Sequence, residues 1–100
     1  MNYPPLPLIV RTGPKAKLLA QRDYYNALED GLGDRFYKEM LDELAWLEAN
    51  YHVPPVVQGH PELRRYVTNG KSFRWLVYFR VQKGEIVVAS IIHPSQKPRY

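Results

Sequence analysis

Leu63 to Pro98 reads LRRYVTNGKSFRWLVYFRVQKGEIVVASIIHPSQKP. Two long apolar-rich runs flank Gln82-Lys83-Gly84, and a shorter run, Leu63 to Val67, precedes them across Thr68-Asn69-Gly70-Lys71. Short β-branched and aromatic runs separated by turn residues predict a three-stranded antiparallel meander. Asn69-Gly70 is a hairpin signal, because both residues tolerate positive φ. In the run from Phe73 to Val81, a period of two sets Phe73, Trp75, Val77, Phe79 and Val81 on one face, which is predicted to meet the core. Arg74, Leu76, Tyr78 and Arg80 then share the other face. The run from Glu85 to Ile92 is apolar on both faces, as in a strand with neighbours on each side. Arg64, Arg65, Arg74 and Arg80 punctuate the meander, and the chain closes on His93 and a basic tail, a surface suited to a polyanion or an acidic partner.

Upstream, residues 1–7 are proline-rich and extended, and Leu8-Ile9-Val10 suits a first strand. Thr12 is predicted to cap a helix running from about Lys15 to Glu29, with Pro14 near the first turn, where its missing N–H costs little. Asp30-Gly31 is predicted to close that helix, Gly31 being able to turn left-handed. A second helix opens at Gly33-Asp34. Its apolar positions Phe36, Met40, Leu44, Leu47 and Tyr51, flanked by Leu41 and Trp46, recur at spacings of three and four. Pro54-Pro55 stops it, and residues 54–61 are predicted to form a loop. The short connection makes the two helices an antiparallel hairpin. The expected fold class is therefore α+β: an N-terminal strand, a helix hairpin, then a three-stranded antiparallel meander, one small sheet under one helical layer.

The chain has 100 residues, which is one domain over 1–100, with residues 94–100 as a basic tail. Hydrophobic residues make up 45 %, enough for a core, and the net charge of +4 favours nucleic acid, an acidic protein or an anionic surface as partner. With no cysteine, disulfides, thiolate zinc sites and a cysteine nucleophile are excluded. No apolar run approaches the roughly 20 residues of a membrane span, and the N-terminus lacks the pattern of a secretory signal, so the expected location is cytoplasmic, with no membrane partner.

Three local features carry a resemblance. Pro61-Glu62-Leu63-Arg64-Arg65 leads into the short strand. Phe73 to Val81 is an aromatic strand ending in an arginine. Ile91-Ile92-His93 is followed by a basic residue and proline at Lys97-Pro98. In this order, and after a helix hairpin, they resemble the RelE/ParE superfamily of bacterial type II toxin–antitoxin toxins, over roughly Leu8 to Pro98. The ParE branch typically ends its last strand in a histidine followed by arginine and proline. The Ser95-Gln96-Lys97-Pro98 tail is also similar to the HigB-like ending, but His93-Pro94 stands where that branch usually has lysines.

The resemblance implies a RelE/ParE-like fold and a small cytoplasmic toxin of a plasmid-stabilisation type, which inhibits growth and is neutralised by a cognate antitoxin. A ParE-like member inhibits DNA gyrase by binding it. A RelE- or HigB-like member cleaves mRNA on the ribosome. A non-toxic binding module on the same fold is the third reading. Neither branch implies a cofactor or metal.

For cleavage, Arg74 and Arg80 would hold phosphate, His93 would act as acid or base, and Tyr78 or Tyr100 would stack a base or donate a proton. For binding, Arg64, Arg65, Arg74, Arg80, His93, Lys97 and Arg99 would meet the target or the antitoxin. Tyr24 and Tyr25 cannot both face the core, so one of them, with Leu18 or Leu28, would line an antitoxin groove. His52 and His60 flank a proline-rich loop without the carboxylate spacing of a metal site. Glu62 is expected in a surface ion pair with Arg64 or Arg65. Ser72, Ser90 and Ser95 show no Ser-His-Asp arrangement. Trp46 and Trp75 are expected in or at the edge of the core.

Overall fold

In the computed structural model, which describes residues 3–70 and 73–96, the chain forms a five-stranded sheet with two helices on one face. The elements are β1 (Leu8–Val10), α1 (Thr12–Leu28), α2 (Leu32–Asn50), β2 (Val56–Val57), β3 (His60–Val67), β4 (Leu76–Gln82) and β5 (Glu85–Ile92). The strand order is β1-β5-β4-β3-β2. β1 runs parallel to β5, and every other pairing is antiparallel. The meander and the interior position of β5 agree with the sequence reading. The added strand is β2, which lies in the expected loop over 54–61 and pairs with β3 after Gly59 turns the chain at φ 82°.

Both helices start earlier than expected. α1 begins at Thr12, so Thr12 is inside the helix and Arg11 occupies the cap position without a side-chain capping bond. Gly31 does adopt the left-handed conformation, φ 80°, but as the N-cap of α2 rather than as the end of α1. With no side-chain oxygen to cap α2, the glycine leaves that task to α1. Asn26 Oδ1 accepts from the N–H of Gly33 at 2.7 Å and of Asp34 at 3.2 Å, and Asn26 Nδ2 donates to Asp34 Oδ1 at 3.2 Å. The helix backbones approach closely here: a Cβ on Gly33 would lie 1.9 Å from the carbonyl oxygen of Arg22.

The core lies between the helices and one face of the sheet. Phe36, Met40, Leu44 and Leu47 of α2 are buried, as their spacing predicted, and meet Val77, Phe79, Ile86, Val88 and Ile91. Phe36 is the hub of an aromatic cluster, with ring centroids 5.1 Å from Tyr25, 5.3 Å from Phe73 and 5.6 Å from Trp75. α1 contributes less, with Leu18 its one buried apolar side chain among the described residues. Leu18 therefore belongs to the core and not to an exposed groove.

The connections of the meander differ from the expected ones. The tight hairpin is Lys83-Gly84, with φ 52° and 73°, between the paired residues Gln82 and Glu85. Two positive φ values match the right-handed twist of the flanking strands. Neither Asn69 nor Gly70 has a positive φ, and β3 and β4 are instead joined by a wide loop. Buried Thr68 closes that loop. Its N–H donates to Trp75 O at 2.9 Å, its hydroxyl to Phe73 O at 3.3 Å, and its Oγ1 accepts from Trp75 N–H at 2.9 Å. Phe73, Arg74 and Trp75 thus precede β4, although Phe73 and Trp75 still reach the core. Val81 does not: it stands 41 % exposed near the end of β4.

Candidate functional site

The face of the sheet turned away from the helices carries two of the cations singled out in the sequence, Arg65 and Arg80. Cross-strand pairing sets Arg65, Tyr78 and Ser90 in one row over β3, β4 and β5. Arg80, two residues on from Tyr78, pairs with Val87. Leu63, Tyr78, Val87 and Ile92 are buried but stand outside the main core cluster, as a second apolar layer on this face. A bulge makes the arrangement possible. The register shifts between Tyr78 and Phe79, whose partners are Ser90 and Val88, so Ala89 is the extra residue. Without it, strict alternation along β5 would have put Ser90 on the core side with Val88.

Two polar atoms of this face are buried without a partner, Arg80 Nε and Ser90 Oγ. A guanidinium N–H and a hydroxyl left unsatisfied are both donors suited to an anionic oxygen. Ser90 entered the sequence reading only as a nucleophile without a triad; its place beside Tyr78 follows from the bulge, which has no sequence signature.

The other candidates are dispersed. Arg74 is exposed in the wide loop, not on the strand. His93 follows β5 and is tied into a turn. Its Nδ1 lies 2.7 Å from Ser95 Oγ and accepts from Ser95 N–H at 3.2 Å, while its backbone N–H donates to Gln96 Oε1 at 2.9 Å. Lys17 of α1 donates to the same Gln96 oxygen at 3.0 Å, and the His93 ring stands edge-on to Trp75 at 5.4 Å. These contacts hold His93 at the helix side of the sheet. Because Leu76 pairs with Ile92, Arg80 lies four residues down the strand from that end, about 13 Å away at strand rise. Arg74, Tyr78, Arg80 and His93 are therefore not gathered around one point.

Arg64 faces the helices. Its Nη1 donates to Pro54 O at 2.6 Å and His52 O at 3.4 Å, just beyond the end of α2, where carbonyls lack helical partners. Arg65 is exposed on the opposite face. Tyr24 is 58 % exposed and Leu28 63 % exposed, one helical turn apart, whereas Tyr25 is half-buried against Phe36 and Phe73. Glu62 lies 3.8 Å from His60 Nδ1 rather than pairing with an arginine. Trp46 stacks on Tyr66, and Trp75 is buried. Lys97, Arg99 and Tyr100 lie outside the described residues. Among the described residues, no three His, Asp or Glu side chains are placed to hold a metal ion, and no helix is long and apolar enough to cross a membrane.

No protein-family model matches the chain, and no curated protein matches it in sequence. Solved structures do match. One is a chain described as "Chromosomal ParDE TA system from P. aeruginosa", with a TM-score of 0.73 over 91 % of this chain and 98 % of that one, at 17 % identity. At that identity the likeness is one of fold, and it is the RelE/ParE-like α+β fold expected from the sequence.

Proposed function

We propose that this chain, built on the fold of a ParDE chain, is the toxin of a toxin–antitoxin pair. It acts in the cytoplasm by binding its target, DNA gyrase, and a cognate antitoxin holds it in check. The observation that carries this reading is the fold match, which spans nearly the whole of both chains. Binding rather than catalysis is supported by the separation of His93 from Arg80, since general acid–base chemistry needs its groups within hydrogen-bond reach of one substrate. In this reading Arg65, Arg74, Arg80, Lys97 and Arg99 face the target. Tyr24 and Leu28, a solvent-facing apolar pair on α1, meet the antitoxin.

A second reading, an mRNA endoribonuclease acting on the ribosome, draws on the unsatisfied donors Arg80 Nε and Ser90 Oγ, which suit a phosphodiester. Inducible expression in a bacterium separates the readings. Growth arrest with intact message, together with loss of supercoiling by purified gyrase in the presence of the chain, is the expected result. New message 5′ ends within codons, lost on Arg80→Ala, would replace it with the ribonuclease reading. Absence of arrest would leave a binding module on the same fold.

A further inference from the structure

Glu39, Asp42, Glu43 and Trp46 recur at spacings of three and four on α2 and so share one face of that helix. This face does not enter the core. It borders a groove of about 640 Å³, closed on the other side by Tyr66, Val67, Asn69 and Gly70, where β3 runs on beyond its pairing with β2. Trp46 is 40 % exposed and stacks one face on Tyr66, with centroids 5.1 Å apart and planes at 17°. Glu43 fixes this wall: its Oε2 accepts from the Tyr66 hydroxyl and its Oε1 from Asn69 N–H at 2.7 Å.

Negative charge is left over here. Both donors to Glu43 are neutral. Glu39 Oε2 is buried beside Gly70 and has no hydrogen-bond partner. Among the described residues no lysine or arginine lies within ion-pair distance of Glu39 or Glu43, and only Asp42 has one, Lys38 at 2.9 Å. The Tyr66 hydroxyl is pushed well above the usual tyrosine range, by burial first and then by Glu43. On a chain of net charge +4, this acidic, aromatic-walled groove is set apart from the cationic face described above.

We propose that this groove receives an arginine-bearing segment of a partner protein, the guanidinium lying on the exposed face of Trp46 and turned toward the Glu39 and Asp42 carboxylates. Arginine fits better than lysine because its planar, weakly hydrated head stacks on an aromatic face while its N–H fork reaches carboxylates. A nucleic acid is disfavoured, since its phosphates would meet three carboxylates. The assignment does not depend on the toxin reading.

The test uses the ¹⁵N-labelled full chain titrated with the peptide acetyl-Gly-Arg-Gly-Arg-Gly-amide, and with the same peptide carrying citrulline, which keeps the shape and removes the charge. The expected result is a saturable shift of the Trp46 indole and the Asn69 and Gly70 amides with the arginine peptide alone, the buried Trp75 indole staying fixed. Affinity should fall at least threefold in Glu39→Gln/Asp42→Asn, roughly the factor that one exposed ion pair is worth. If that variant loses its fold, Asp42→Asn alone, at a position with 67 % side-chain exposure, should still weaken binding. Equal shifts with citrulline, shifts centred away from the groove, unchanged affinity in the folded variant, or no saturable shift would each overturn the proposal.

Discussion

Replacing Gly33 by alanine should unfold the helix hairpin from within. The new Cβ would lie 1.9 Å from Arg22 O, 2.8 Å from Arg22 C and 2.7 Å from Asn26 Cγ. Two of these are backbone atoms of α1, which no rotamer change can clear. Ordinary contact needs about 3.4 Å or more, so the helices must part by well over an ångström at this crossing. Overpacking of this kind costs about 1–3 kcal/mol. Parting the helices also stretches the Asn26 bonds to Gly33 and Asp34, whose loss costs about 1–2 kcal/mol, as for other N-caps. Alanine's better helix propensity returns up to about 1 kcal/mol. The net is about 1–5 kcal/mol, and at roughly 4–8 °C per kcal/mol for a domain this size the melting temperature should fall by at least ~4 °C. Gly13→Ala is the control: it lies in the first turn of α1 with nothing within 4 Å of a new Cβ and no positive φ. Thermal unfolding followed by circular dichroism should show Gly13→Ala level with or above the parent. A Gly33→Ala variant that melts with the parent would refute the close-approach argument.

Other outcomes follow from single contacts. Asn26→Ala should destabilise by about 1–2 kcal/mol in urea unfolding, because α2 has no capping side chain of its own. Arg64→Met should cost about 1–3 kcal/mol by the same assay, since it strips a charged donor from the half-buried carbonyls of His52 and Pro54. The Tyr66 proton is held more tightly folded than unfolded, so its stabilisation is complete below pH ~10, the ordinary tyrosine value, and is lost as pH rises toward the folded pKa. The gap in unfolding free energy between the parent and Tyr66→Phe should therefore narrow above pH ~10; a gap constant from pH 8 to 11 would contradict the Tyr66–Glu43 bond. Arg80→Glu, at a half-buried guanidinium on the open sheet face, should abolish growth arrest on induction while the near-ultraviolet dichroism of the core aromatics persists.

Periodic features were legible in the sequence. The spacing of Phe36, Met40, Leu44 and Leu47 gave the buried face of α2, and alternation through Trp75, Val77 and Phe79 gave the core face of the central strand. What escaped were places where a distant residue overrides local preference. Asn69-Gly70 favours a two-residue turn, but Glu43 holds the Asn69 N–H and Thr68 bridges across the loop to Phe73 and Trp75, so the chain takes the wider path. Thr12 is a good cap by type, yet the helix starts a residue earlier. Tyr78 falls on the face expected from alternation, but its burial there and its alignment with Ser90 depend on a bulge in the neighbouring strand. Of the site residues, the cations of the sheet could be named but not sorted. Only the register shows that Arg64 turns to α2 while Arg65 turns away, and the groove at Glu39 and Glu43 arises from a helix and a strand edge that are remote in sequence.

The parallel pairing of β1 with β5 bears on when the molecule comes into being. Leu8 finds its partner Ile86 only after both helices and the other three strands have been made. During synthesis the helix hairpin can form early from local contacts, but β1 has nothing to pair with, and the row of Arg65, Tyr78 and Ser90 does not exist until β5 emerges. Contacts of such long sequence separation carry the loop-closure entropy of most of the chain and set a slow last step. The sheet face that carries this row is thus the final thing to be assembled, and the surface of the helix hairpin is exposed on the nascent chain before that face exists.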